Sequence, residues 1–230
     1  MWEIEFNSEL NTCYEILATR PSIPCSSFRK EFKSVPGRDG VLCIPTKEID
    51  DITIVVKFHF VCDRDEWLKK FRNAKRWLLS NGNELRFSDD PNYFYRVKNV
   101  IIGTAERKVK EVGEFEAEFL CYGTQYFKEG NYEMDCAEVD YNPGVFSKPI
   151  YIITGEGSCT LTVNGKSITA NVARNLTIDT ERMISYREDG VLQNTAIKGN
   201  YEDLYLQEGD NKVTVTDGFE CKVIPRWRCL

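Results

Sequence analysis

The sequence predicts a mainly β chain with two domains and one α-helix, and three observations carry that prediction. Asn-Gly or Asp-Gly pairs recur at Asp39-Gly40, Asn81-Gly82, Asn164-Gly165, Asp189-Gly190 and Asp217-Gly218. Such pairs between apolar runs mark the tight turns of antiparallel hairpins. The stretch DITIVVKFHFVC (51–62) puts Ile52, Ile54, Val56, Phe58, Phe60 and Cys62 at every second position, the period of a strand with one buried face. In DEWLKKFRNAKRWLL (65–79) the period changes, and Trp67, Phe71, Ala74 and Leu78 fall on one helical stripe, as expected of a helix lying on a sheet.

The elements follow in order. Residues 26–35 alternate Phe28 and Phe32 with Arg29, Lys30, Glu31 and Lys33, too polar for a core strand and too regular for a plain loop. The Arg38-Asp39-Gly40 turn follows. On strand 51–62, His59 and Cys62 are an odd number apart and point to opposite faces, which favours a partly exposed strand histidine over a thiol with its imidazole base. Asp63 with Glu66 reads as an Asp version of the capping box, and Asn81-Gly82 as the stop of the helix. Trp67 and Trp77 read as core packing rather than a ligand platform. SDDPN (88–92) is a turn between a strand holding Leu85 and Phe87 and one starting near Tyr93.

ERKVKEVGEFEAEFLCY (106–122) reads as two strands around Val112-Gly113. Glu114, Glu116 and Glu118 form an outward row facing water or a neighbouring subunit. Like charges about 7 Å apart require water or cations beside them. Asn-Pro-Gly and Lys-Pro within 140–151 break any regular element, giving domains of 1–140 and 141–230. Beyond them, 158–172 is a hairpin on an Asn-Gly turn, and 175–181, 201–206 and 211–230 complete a small antiparallel sandwich. The acceptor triplet Asn175-Leu176-Thr177 is read as chance.

Composition narrows the function classes. The 230 residues carry a formal net charge of -6, without the basic excess that drives binding to nucleic-acid phosphates. The acidic, alternating opening MWEIEF and the absence of a long apolar run predict neither a secretion signal nor a membrane span. Nine scattered cysteines, with no C-x-x-C pair, and the lone histidine His59 suit reduced thiols in the core better than disulfides or a metal site. No metal or cofactor is expected. No phosphate loop or nucleophile elbow is present, which leaves Asp89 and Asp90 as the one carboxylate pair to weigh for glycoside hydrolysis. Asp90 precedes a proline and is held extended, so the two carboxyls diverge. No catalytic residue is assigned, and the chain is not expected to be an enzyme.

Six blocks in order, RPSIP (20–24), VPGRDG (35–40), RWLL with LRFSDDPNYFYRVKNV (76–100), ERKVKEVGEFEAEFLC (106–121), NPGVFSKPI (142–150) and IPRWRCL (224–230), resemble the distal tail proteins of long-tailed phages and prophages of Gram-positive bacteria. The resemblance implies an N-terminal β-sandwich-like domain with one helix and an extended β-hairpin arm. A C-terminal galectin-like or carbohydrate-module-like β-sandwich is implied to follow. It also implies a homo-hexameric ring at the virion tail tip, assembled in the host cytoplasm. That ring joins the tail tube protein to a tail-associated, baseplate or fibre protein and lets DNA through its channel.

Within that frame, Phe28, Arg29, Phe32, Arg38 and Asp39 are the candidate subunit-contact residues, on an arm reaching a neighbour. Long strands such as 26–35 and 51–62 suit edge-to-edge pairing in a ring, and an acidic conduit suits a sliding polyanion. A second reading is a host cell-wall glycan-binding module, with Tyr186, Tyr201 or Trp227 stacking on sugar rings.

Overall fold

The computed structural model describes residues 2–230, with the backbone alone at Lys108. It contains two compact units, one up to Gln125 together with Leu230, the other from Tyr126 to Cys229. The division falls within strand Val112–Phe127, and the turn-rich run 140–151 belongs to the second unit.

In the first unit an antiparallel sheet runs in the order Glu9–Leu10, Ile4–Phe6, Glu84–Phe87, Tyr93–Ile102, Val112–Phe127, Ile52–Val61, Leu17–Ala18, with Glu106–Val109 also on Val112–Phe127. The alternation of 52–61 is the observed burial: Ile52, Ile54, Val56, Phe58 and Phe60 are buried, with exposed or half-buried residues between them. Phe115, Ala117, Phe119 and Cys121 supply the matching inner face of the neighbouring strand.

Helix Trp67–Leu78 covers this face. Trp67, Ala74 and Leu78 are buried, and Trp77 joins them, stacked on Tyr14 and edge-on to Phe6 and Phe58. Burying each such ring contributes about 1.5–3 kcal/mol before entropy is subtracted.

The helix ends depart from the sequence reading. Its N-cap is Glu66, which makes no side-chain capping bond; Asp63 instead accepts Glu66 N–H through its backbone carbonyl in the preceding turn. At the other end Leu79 and Ser80 N–H close on Lys75 and Trp77 carbonyls, so Gly82 is not the stop. Gly82 serves packing, because a Cβ there would lie 2.1 Å from the Asn7 side chain.

Gly113 likewise lies inside strand Val112–Phe127 rather than at a turn, which occurs at Lys110–Glu111. A Cβ on Gly113 would approach the Phe60 ring to 2.2 Å. The ring needs that space to pack.

The second unit is built on one long hairpin. Strands Ile150–Val163 and Lys166–Asp179 pair from Ile150↔Asp179 to Val163↔Lys166. The turn between them uses Asn164 (φ 51°) and Gly165 (φ 81°), the two positive φ angles of a type I′ turn. Its two ends have different neighbours. Strand Glu220–Ile224 pairs with 150–154 and Ile184–Tyr186 with 177–179, whereas Val213–Val215 pairs with 161–163 and Ile197–Lys198 with 169–170.

Between these ends the hairpin passes Gly155 (φ 153°), Gly157 (φ 108°) and, on the other strand, Arg174 (φ 78°). A Cβ on Gly155 would come 2.3 Å from the Phe219 ring. The sheet curls there and wraps one apolar face: Tyr151, Ile153, Cys159, Leu161 and Val163 against Ile168, Ala170, Val172, Leu176 and Ile178.

One expectation about the cysteines is corrected. Cys136 and Cys221, 85 residues apart in sequence, form a disulfide with Cα atoms 5.7 Å apart. Strand Met134–Asp135 pairs with Glu220–Ile224 and brings the two together, a juxtaposition no spacing rule contains. The other seven cysteines remain thiols.

Candidate functional site

The carboxylates of the SDDPN turn serve structure. Asp89 accepts a hydrogen bond from Trp2 Nε1 at 2.8 Å and pairs with Arg20 at 3.1 Å, while Asp90 is met by the Gln125 amide at 3.4 Å. Ser88 Oγ accepts Glu3 N–H at 2.9 Å. The two acids hold different parts of the unit and do not converge on one bond.

His59 lies on the outer face opposite Glu114, while Cys62 packs toward the core. A cleft of about 420 Å³ at the helix start is lined by Glu15, Cys62, Asp63, Glu66, Lys70 and Glu111. Lys70 is committed to Glu15 at 2.6 Å and to the Val61 carbonyl at 3.1 Å. Among the described residues no group of three His, Cys, Asp or Glu is placed to hold a metal. No helix is long and apolar enough to cross a membrane.

The feature that stands apart is the hairpin of strands Phe28–Ser34 and Val41–Ile49, a separate two-stranded sheet. Phe32 faces Cys43 directly, flanked on the same side by Lys30↔Pro45 and Ser34↔Val41, while Glu31↔Ile44 and Lys33↔Leu42 share the other side because strand faces alternate. Every residue of Phe28–Ser34 is exposed. Phe32 is 64% exposed and Val41 59%. Among the described residues the ribbon therefore carries apolar side chains with little cover and two open backbone edges.

The five sequence candidates map along this arm. Phe28 and Arg29 lie at its base, Phe32 at its middle, and Arg38 and Asp39 in the tip loop, where Gly37 and Gly40 take φ of 77° and 78°. Arg29 is engaged within the arm region, at 2.7 Å from Glu48 and 2.9 Å from Asp50. These partners, Asp50 first, hold its guanidinium more firmly charged than an isolated arginine. It fixes the arm's root. The return strand adds exposed Val41 and Leu42, with Val35 in the loop before it. The sequence reading missed these three, although the apolar run VLCI was its visible signal.

A second open edge lies nearby in sequence. Strand Ile52–Val61 is paired along one side by ten residues of Val112–Phe127. On the other side, Leu17–Ala18 meets it only at His59 and Phe58, and Thr19 N–H reaches the Lys57 carbonyl. Residues 52–56 thus keep a free edge among the described residues. On the outer face, the glutamate row acquires a cation where Lys57 sits opposite Glu116 at 3.2 Å.

In the second unit Tyr186, Tyr201 and Trp227 are half-buried and stand on different elements. Tyr201 packs on the core. Its hydroxyl and Trp227 Nε1 are buried without a hydrogen-bond partner. One ion pair of this unit, Asp179 with Arg226 at 2.9 Å, is nearly enclosed, and Glu181 joins it at 3.3 Å. Burial opposes charge on Asp179, but Arg226 and the Arg182 and Glu181 amides outweigh it and hold the carboxyl below its usual range.

Residues 8–121 match the family described as the phage tail protein RIFT-related domain. The chain contains a phage tail domain of that family. Its fold is similar over 100% of both chains, with a TM-score of 0.71 and 14% sequence identity, to the crystal structure of Dit (gp 19.1) of phage SPP1. That protein is described as a paradigm of the hub of the adsorption apparatus in phages infecting Gram-positive bacteria. A comparison with curated protein sequences gives no match.

Proposed function

We propose that this chain is a distal tail hub subunit whose copies close into a ring, six in number, between the tail tube and the baseplate or fibre proteins, with DNA passing through the channel. The observation that carries the reading is the uncovered arm Phe28–Ile49. A lone two-stranded ribbon is marginal in water, and its exposed Phe32, Val41 and Leu42 call for a covering surface. Strand addition onto a neighbour would satisfy open edges that otherwise invite aggregation. The free edge at 52–56 is suited to receive such a strand.

The fold shared end to end with a tail hub protein supports the same reading, as does the formal charge of -6, which favours a conduit that does not hold a polyanion. In this assignment the first unit forms the ring. The role is structural rather than catalytic, at the virion tail tip, with assembly in the host cytoplasm.

Deleting residues 26–42 and measuring mass by light scattering tests the arm. Loss of the higher assembly with unchanged circular dichroism is expected. An assembly of unchanged size would sink the assignment.

A further inference from the structure

We propose that Cys136 and Cys221 form an oxidation-driven clasp that fixes the connector 128–140 onto the second unit's sheet. The connector buries Val139 and Cys136 in the core, and the Asp140 carbonyl accepts Asn211 N–H at 2.7 Å, but its backbone pairing with the sheet is short. Strand Met134–Asp135 meets the sheet at two positions only, Met134↔Val223 and Asp135↔Lys222. Glu133 and Lys222 form an exposed ion pair at 3.7 Å, and Gly130 accepts Arg226 N–H at 2.8 Å. A two-residue ladder and a surface ion pair contribute little, so the short strand relies on the packing of Met134, Cys136 and Val139 to stay docked.

The cysteines sit where a covalent tie changes that. Cys136 directly follows the short strand, and Cys221 lies opposite Ile153 on the central hairpin. Their Cα separation of 5.7 Å is in the usual range for a disulfide, and both are nearly buried, at 5% and 8% exposure. A tie across 85 residues removes a large loop-closure freedom from the opened chain. Because the docked connector shields both sulfurs, a reagent reaches them only when the connector lifts, and the closed bond then holds it down.

The chemistry is thiol–disulfide exchange with a small-molecule disulfide as oxidant. One cysteine thiolate attacks it, releasing one small thiol and leaving a mixed disulfide on the protein. The second thiolate displaces the other small thiol and closes the Cys136–Cys221 bond. Two protein thiols are oxidised, one small disulfide is reduced to two thiols, and the two protons go to those thiols. A reducing interior keeps the pair open, and an oxidising medium closes it. This inference stands independently of ring formation.

The test uses the full chain, folded, incubated with oxidised glutathione or with dithiothreitol. In the oxidised sample peptide mapping should place a bond at Cys136–Cys221, beside glutathione adducts on the exposed Cys13, Cys25 and Cys43. After unfolding, Cys136 and Cys221 should resist alkylation in the oxidised sample and alkylate in the reduced one. Hydrogen exchange over 128–140 should slow on the order of tenfold or more on oxidation. Cys136→Ser and Cys221→Ser should each remove both effects while matching the reduced wild type, and Cys159→Ser should keep them. Alkylation of Cys136 and Cys221 after native oxidation, a bond joining either of them to another cysteine, or equal exchange over 128–140 in both states would overturn the proposal.

Discussion

Phe32→Ala separates an assembly role for the arm from a folding role. Phe32 is 64% exposed and absent from the core. A phenylalanine offers about 200 Å² of surface, so an assembly that covers this ring removes about 130 Å² from water, or about 3 kcal/mol at 25 cal/mol per Å². Alanine retains part of that contact, which leaves an expected loss of about 2–3 kcal/mol per subunit contact, on the order of a hundredfold in dissociation constant. Monomer stability should change by less than about 0.5 kcal/mol, as for other exposed positions. Sedimentation velocity over a concentration series, with thermal melting in parallel, reads both quantities. Phe58→Ala, at a fully buried ring, is the contrast and should cost about 3–5 kcal/mol of stability. An unchanged dissociation constant for Phe32→Ala, or a stability loss like that of Phe58→Ala, would refute the reasoning.

Further outcomes follow from named contacts. Asp179→Asn leaves the nearly buried Arg226 with only the Glu181 carboxylate, at 3.3 Å, and should cost up to about 3 kcal/mol in chemical denaturation. Because the folded carboxyl lies below its usual range, the wild type has this contribution in full above the unfolded Asp value of about 4 and loses it as pH falls through the lower folded value; the Asn variant should lack that acid-side slope. Gly113→Val drives side-chain atoms into the Phe60 ring and should cost about 1–3 kcal/mol or more by thermal melting. Asp89→Asn weakens exposed ties to Trp2 and Arg20 and should cost less than about 1 kcal/mol, measured the same way.

Much of the architecture was legible because it follows from local chemistry. Strict alternation in 52–62 could only bury one face, and Asn164-Gly165 could supply both positive φ angles of a tight turn. The divergence of Asp89 and Asp90 followed from the proline after them. What escaped the sequence depended on contacts distant along the chain. Gly113 looked like a turn and is instead the hollow that admits Phe60. Asp63 and Glu66 had the letters of a capping box, but the chain enters the helix through a turn that leaves Glu66 as N-cap.

The disulfide had no local signature, since a two-residue strand pairing joins Cys136 to Cys221. The arm was half legible. Its outgoing strand was visibly too charged for a core, whereas Val41 and Leu42 on the return strand read as ordinary apolar residues until the structure left them bare.

Electron microscopy of the purified full-length chain tests the central claim most directly. The account predicts rings with a central hole, built from copies joined through the first unit and lost when residues 26–42 are deleted. Isolated single subunits at every concentration, or closed particles that persist without the arm, would contradict it.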